Sequence, residues 1–200
     1  MNLNQLLTLA AFTMTLPIMA QNKKALIVID VQENLLKSKS TMHMDIDKVD
    51  PFVTSLNRSI KIFEQQGMPV IYTINEWTNP ILNLITGNVC KKGAKGTEIS
   101  SRVSVVSKNI FYKSSSDIFS NEKLRDFLKR ESISELYITG LLAEYCVKSS
   151  VNSALDSQFK VTIIEDAVGS KNEKNKAKSM SRCSVKGANV IHSSTMVKFD

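Results

Sequence analysis

One cysteine stands where chemistry could begin. Residues 136–139 are apolar and β-branched, Gly140 interrupts them, and Val147, Val151, Ala154 and Leu155 then recur at helical spacing. That pattern predicts a strand, a tight turn and a helix, with Cys146 in the helix's first turn. Unpaired N–H groups and aligned peptide dipoles at a helix start bias a thiol placed there toward thiolate. Cys146 is therefore a candidate nucleophile, and the competing reading is a buried cysteine acting as a small apolar residue. The second candidate is Asp30, the one charge in the apolar run ALIVIDV at residues 25–31. A carboxylate there is costly unless the strand end opens into a cleft, which is where ligands bind in open α/β sheets. Closing a loop is the other role open to Asp30.

Conventional partners for a cysteine are scarce, since His43 and His192 are the only histidines. His43 lies in an early polar loop and His192 at the end of the last predicted strand, and no motif supports a Cys146/His192 dyad. Asp30 is the base that remains on offer. Val31, Gln32, Glu33 and Asn34 follow it instead of a glycine-rich phosphate loop, which argues against a nucleotide bound in the doubly wound manner. Two separated histidines also argue against a transition-metal site, so neither a metal nor another cofactor is expected.

These residues must be positioned by a single domain. Two hundred residues with 42% hydrophobic and 22% charged side chains suit one globular unit with a sizeable core. Residues 6–20 differ in carrying no charge and ending in small residues, which reads as a secretory signal cleaved near Ala20 and Gln21. The run is too short to span a bilayer comfortably. Residues 1–5 lack Lys and Arg, so a cytoplasmic protein with an uncleaved first segment is the alternative to a periplasmic or secreted one. Residues 24–200 then form the domain. Cys90, Cys146 and Cys183 make an odd count, compatible with a Cys90–Cys183 bridge or with three reduced thiols. The +7 net charge is concentrated in residues 171–186, where lysines alternate with Asn, Ser and Glu and no aromatic residue intervenes. That describes a solvated helix face, and no nucleic-acid partner is expected.

Taken in order, 25–31 is the first strand, nearly continuous in its apolarity as in a parallel sheet covered on both sides. Residues 50–66 read as a helix with Asp50 as N-cap, Pro51 at its first position, Gly67 as its stop, and Phe52, Val53, Leu56, Ile60 and Phe63 as its buried stripe. Strands follow at 68–73 and 102–106, then the segment 109–113, a helix at 120–130, strands at 135–139 and 160–165, a polar helix at 172–185, and a strand at 188–192. The irregular stretch 75–101 is expected to border the pocket, with Trp77, the only tryptophan, as a candidate pocket-lining residue. Strands alternating with helices predict a three-layer α/β domain whose six-stranded, mainly parallel sheet has helices on both faces.

The chain resembles the isochorismatase-like cysteine hydrolases, the superfamily of nicotinamidase, N-carbamoylsarcosine amidase and isochorismatase. Three segments carry the likeness in order: ALIVIDVQENLL with Asp30 and Gln32, the latter open to orienting substrate or only closing the strand end, NIFYKSSSDIF with Lys113 and Phe119, and ITGLLAEYCVKSSVNSALD with Cys146. GTEIS at 96–100 supports it. The resemblance implies an Asp30–Lys113–Cys146 triad that hydrolyses a carbon–nitrogen bond through a thioester, without a cofactor, in a protein that is commonly an oligomer. Lys113 would hold both anions and lower the thiol pKa. It also implies a cis Leu141–Leu142 peptide and an oxyanion hole built from the Leu142 and Cys146 N–H groups. Ala143 stands where relatives often carry Thr, and the segment INEWTNP lacks the histidine of nicotinamidase metal sites. A silent ligand-binding module and a peroxide-sensing thiol on the same fold are the alternative functions.

Overall fold

The computed structural model describes residues 23–37 and 42–196; the expected signal segment lies outside the described residues. Strands β1 (Lys23–Ile29), β2 (Val70–Asn75), β3 (Ile110–Lys113), β4 (Ile133–Gly140), β5 (Lys160–Val168) and β6 (Asn189–Ile191) form one sheet. Its order is β3-β2-β1-β4-β5-β6, and every neighbouring pair runs parallel. Helices α1 (Glu33–Lys37), α2 (Val49–Gln65), α3 (Pro80–Ile85), α4 (Glu122–Arg130), α5 (Lys148–Asp156) and α6 (Glu173–Lys186) complete the domain. The three-layer α/β architecture read from the sequence is the one observed.

The layers follow from the two-residue period of the strands. Leu26 and Val28 of β1 face a core shared with Val70, Tyr72 and the α2 stripe Phe52, Leu56, Ile60 and Phe63. Ala25, Ile27 and Ile29 face the opposite core, closed by Leu124 of α4, Val151 of α5 and Met180 of α6. Cys90 belongs to the first core and Cys183 to the second, so the sheet separates them and all three cysteines are free thiols. The bridge that the sequence left open is absent.

Two local expectations are corrected. Residues 102–106 are not a strand. Their polar groups go to side chains: Tyr72 Oη donates to the Ser104 carbonyl at 2.7 Å, and the Ser104 N–H donates to Asn57 Oδ1 at 2.9 Å. The strand beside β2 is instead Ile110–Lys113, paired from Tyr72↔Ile110 to Asn75↔Lys113. Nor does Asp50 cap α2. A 3-10 turn at Ile46–Lys48, capped by Asp45, runs straight into α2 and moves its start upstream, leaving Asp50 to pair with Arg102 at 2.6 Å.

Gly140 ends β4 at φ 111°, where a Cβ would lie 2.1 Å from the Ile29 carbonyl oxygen. Both the backbone angle and the close approach to β1 require glycine. Gly140→Ala is expected to destabilise the domain by about 2 kcal/mol or more, read as a lowered urea midpoint; an unchanged midpoint would show that β1 and β4 can separate at no cost.

Candidate active site

Four adjacent strands end side by side, and their register decides which residues meet. Ile29 pairs with both Thr73 and Gly140, while Asn75 pairs with Lys113. Asp30 is the residue beyond β1, at φ 51°, a left-handed conformation that Asp tolerates better than most residues. Its N–H reaches the Thr73 carbonyl at 3.1 Å, and Thr73 Oγ1 donates to Asp30 Oδ1 at 2.7 Å. Lys113 ends β3 and crosses under β2 to place Nζ 2.6 Å from Asp30 Oδ2. The ammonium also donates to the Ser115 carbonyl at 2.8 Å and faces Cys146 Sγ at 3.5 Å, which accounts for all three of its hydrogens. Asp30, Lys113 and Cys146 thus share one buried position at the carboxyl rim of the sheet.

Cys146 does not sit in the first turn of an α-helix. It lies within a single π turn, Ala143–Val147, that leads into α5. The expected bias toward thiolate is also corrected. Burial pushes the Cys146 thiol up, the Asp30 carboxylate pushes it further, and Lys113 only partly opposes them, leaving it at about 12. Burial pulls the Lys113 ammonium down, but the charges of Asp30 and Cys146 and its hydrogen bonds to them outweigh this and hold it above its ordinary value. The resting site is therefore thiol, carboxylate and ammonium.

The Leu141–Leu142 peptide is cis. The next N–H, that of Ala143, is tied to the Gly169 carbonyl at 2.8 Å, whereas the Leu142 N–H meets no acceptor among the described residues. Beside these groups is a cavity of about 20 Å³ bordered by Asp30, Asn75, Trp77, Cys90, Leu142 and Cys146. Trp77, expected near the pocket, does line it. Gln32 does not: its Nε2 donates to the Asn75 carbonyl at 3.1 Å and its Oε1 accepts from the Asn75 N–H at 3.0 Å, fastening β2 to the end of β1. Residues 96–100 dock on the same end, with Gly96 and Glu98 carbonyls accepting from Asn34 and Glu33 N–H groups. Among the described residues, no three His, Cys, Asp or Glu side chains group closely enough to hold a metal ion.

The model of the isochorismatase domain family matches residues 24–195. The chain belongs to that family. A Bacillus subtilis (strain 168) protein, the uncharacterized isochorismatase family protein YddQ, is 23% identical over 147 residues, spanning 72% of this chain and 76% of that protein. Among solved structures, N-carbamoylsarcosine amidase from Thermoplasma acidophilum superposes with a TM-score of 0.74 at 23% identity, covering 88% of this chain and 99% of that one. Nicotinamidase PncA from Bacillus subtilis gives 0.73 at 22% identity, covering 85% and 100%. At these identities the structural likeness speaks for the isochorismatase fold.

Among the cavity residues that the sequence reading did not place there are Asn75 and Cys90. Both fall in the stretch expected to border the pocket, yet Asn75 was not singled out and Cys90 was weighed only as a disulfide partner. Asn75 carries the same signal that marked Asp30, a polar side chain at the carboxyl end of an apolar strand. Cys90 carries none, since its place depends on how the loop folds back.

The raised Cys146 value makes stability depend on pH. An unfolded thiol ionises near 9.0, whereas Cys146 in the fold keeps its proton to about 12. Between those values the native state binds more protons than the unfolded one, so stability falls as pH rises. Lys113 adds to the fall only above its ordinary 10.5. Urea midpoints across this window should decline, and less steeply for Cys146→Ser, which has no thiol to ionise. An identical slope in the variant would contradict the protonated resting thiol.

Proposed function

We propose that the protein is a cysteine hydrolase that cleaves the carbon–nitrogen bond of a small amide or ureido compound through a thioester on Cys146. The observation that carries this reading is the buried meeting of Lys113 Nζ with Asp30 Oδ2 at 2.6 Å and with Cys146 Sγ at 3.5 Å. Asp30 takes the Cys146 proton as sulfur attacks the carbonyl carbon, and the carbonyl electrons move onto oxygen. The unpaired Leu142 N–H, together with the Cys146 N–H, is assigned to that oxygen. Collapse breaks the C–N bond, and the nitrogen leaves with the proton from Asp30. Water then gives a proton to Asp30 and its oxygen to the acyl carbon, and the released sulfur recovers its proton. Lys113 keeps its charge throughout and stabilises whichever of the two anions is present. Trp77 supplies an apolar wall for the substrate. The names of two similar folds, nicotinamidase and N-carbamoylsarcosine amidase, support this bond class.

A thiol-sensor reading draws on one observation: Cys90 borders the same cavity as Cys146. Burial raises both thiols, which disfavours the thiolate that a peroxide requires. Intact-mass analysis separates the readings. Incubation with primary amides and substituted ureas should add an acyl mass that Cys146→Ala does not acquire. A sulfenic acid after peroxide treatment, with no acyl adduct from any amide, would replace the hydrolase by the sensor.

Cys146→Ala is expected to abolish turnover with the fold retained. Asp30→Asn should also abolish turnover, and it leaves the Lys113 charge buried without its counter-ion, a loss of about 3 kcal/mol or more. Full activity in either variant, measured as release of ammonia or amine, would reject the mechanism. We also propose export, supported by the charge-free residues 6–20. N-terminal sequencing of protein from cells expressing the full chain should then begin near Gln21, and an intact Met1 would count against it.

A further inference from the structure

Helix α3 is built inside out. Asn79 caps it, with Oδ1 accepting from the Ile81 and Leu82 N–H groups at 2.9 and 3.0 Å, and Pro80 fills its first position. An amphipathic helix ordinarily turns its apolar stripe to the core. Here Asn83 and, at the C-cap, Thr86 are buried, while Ile81, Leu84 and Ile85 stand 71%, 79% and 66% exposed. Their spacing of i, i+3 and i+4 puts all three on one face. Asn83 Nδ2 donates to the Trp77 carbonyl at 3.1 Å and Leu82 packs against the core that holds α2, so the helix is fixed from beneath in this orientation. An isolated exposed leucine is ordinary, but three large apolar side chains on one helix face mark a surface that meets something apolar.

Charge decides what that is. The helix belongs to a loop, residues 77–92, closed at its neck where the Trp77 N–H donates to the Cys90 carbonyl at 2.7 Å and the Lys92 N–H to the Trp77 carbonyl at 3.0 Å. Residues 77–95 contain no Asp or Glu, and Lys91, Lys92 and Lys95 are all exposed. Lys92 has Glu76 at 3.9 Å, whereas Lys91 and Lys95 have no ion pair among the described residues. A second copy placed on this face by two-fold symmetry would set lysines against lysines. An anionic lipid surface instead takes the apolar side chains below its headgroups and the lysines among them. We propose that α3 and the lysines that follow it dock on the surface of a membrane containing anionic lipid. The contact is peripheral and reversible, and it does not depend on the hydrolase reading. Trp77 and Cys90, at the two ends of the loop, border the cavity beside Cys146, so the loop that docks is also a wall of the catalytic cavity.

A polarity-sensitive fluorophore attached to the full chain through Leu84→Cys tests this. The three native cysteines are buried, so the label goes to the exposed position, and it reports the loop itself whatever residues 6–20 do. Vesicles of equal parts phosphatidylglycerol and phosphatidylcholine should shift its emission to the blue. Phosphatidylcholine alone, or the mixed vesicles in about 0.5 M NaCl, should give less than about half that shift. In the labelled chain, Ile81→Gln with Ile85→Gln should raise the lipid concentration at half shift about tenfold. Lys91→Glu with Lys95→Glu should raise it about tenfold or more. No shift with the anionic vesicles, or an unchanged half-point in either paired variant, would overturn the proposal. A shift that appears without vesicles and grows with protein concentration would replace the membrane by a second copy of the chain.

Discussion

A carboxylate and an ammonium, each with a side chain only 1% exposed, lie against each other beneath the rim of the sheet. Removing either charge from water costs several kcal/mol, and their attraction offsets that cost only when the remaining donors and acceptors are filled. Here they are: Thr73 serves the other Asp30 oxygen, and Ser115 and Cys146 take the other hydrogens of Lys113. The pair also ties together strands that are not neighbours, because Asp30 follows β1 and Lys113 ends β3, with β2 between them. A slip of one residue in β2 or β3 would turn Thr73, Asn75 and Lys113 toward the wrong faces. The ion pair and the sheet register therefore specify each other.

The opposite side of the site depends on close approach. Gly140 lets β4 lie against the Ile29 carbonyl, and the chain beyond it passes directly into the cis peptide and the turn that carries Cys146. Ala143 is held by Gly169, the residue after β5, so the turn is fixed from two strands. Gln32 closes the remaining gap by bonding the Asn75 main chain through both ends of its carboxamide. The functional side chains stand on strand ends and on a turn held by main-chain bonds, which is what a site that must position a small substrate requires.

The fold was legible because apolar runs and helix signals alternate cleanly, and β1 reads as a strand covered on both faces. Asp30 and Cys146 were legible because a charge at the end of an apolar run, and a thiol after a strand and a glycine, each break a local pattern. Lys113 was not. It ends a strand of only four residues, Ile110–Lys113, with a run of serines directly after it, and only the family resemblance brought it forward. The third strand was misplaced because residues 102–106 look β-prone, yet their polar groups find side-chain partners in Tyr72 and Asn57. Asn75 was passed over although, like Asp30, it is a polar residue at the carboxyl end of an apolar strand; only its Oδ1, buried without a hydrogen-bond partner among the described residues, is a property of the folded cavity alone.

The direction of the Cys146 shift was misread for a related reason. A helix start and a lysine argue for thiolate when burial is ignored, but burial and Asp30 outweigh them. A proton lost from this thiol to bulk water would leave the pocket with one more negative charge, and low polarity resists that change. A proton passed from Cys146 to Asp30 changes nothing in the net charge: thiol, carboxylate and ammonium become thiolate, carboxylic acid and ammonium. Burial therefore opposes ionisation toward solvent far more than transfer within the site, and Lys113, in contact with both acceptors, keeps a partner in either state. A sulfur that is protonated at rest can still act as a nucleophile, provided that the base taking its proton shares the same counter-ion.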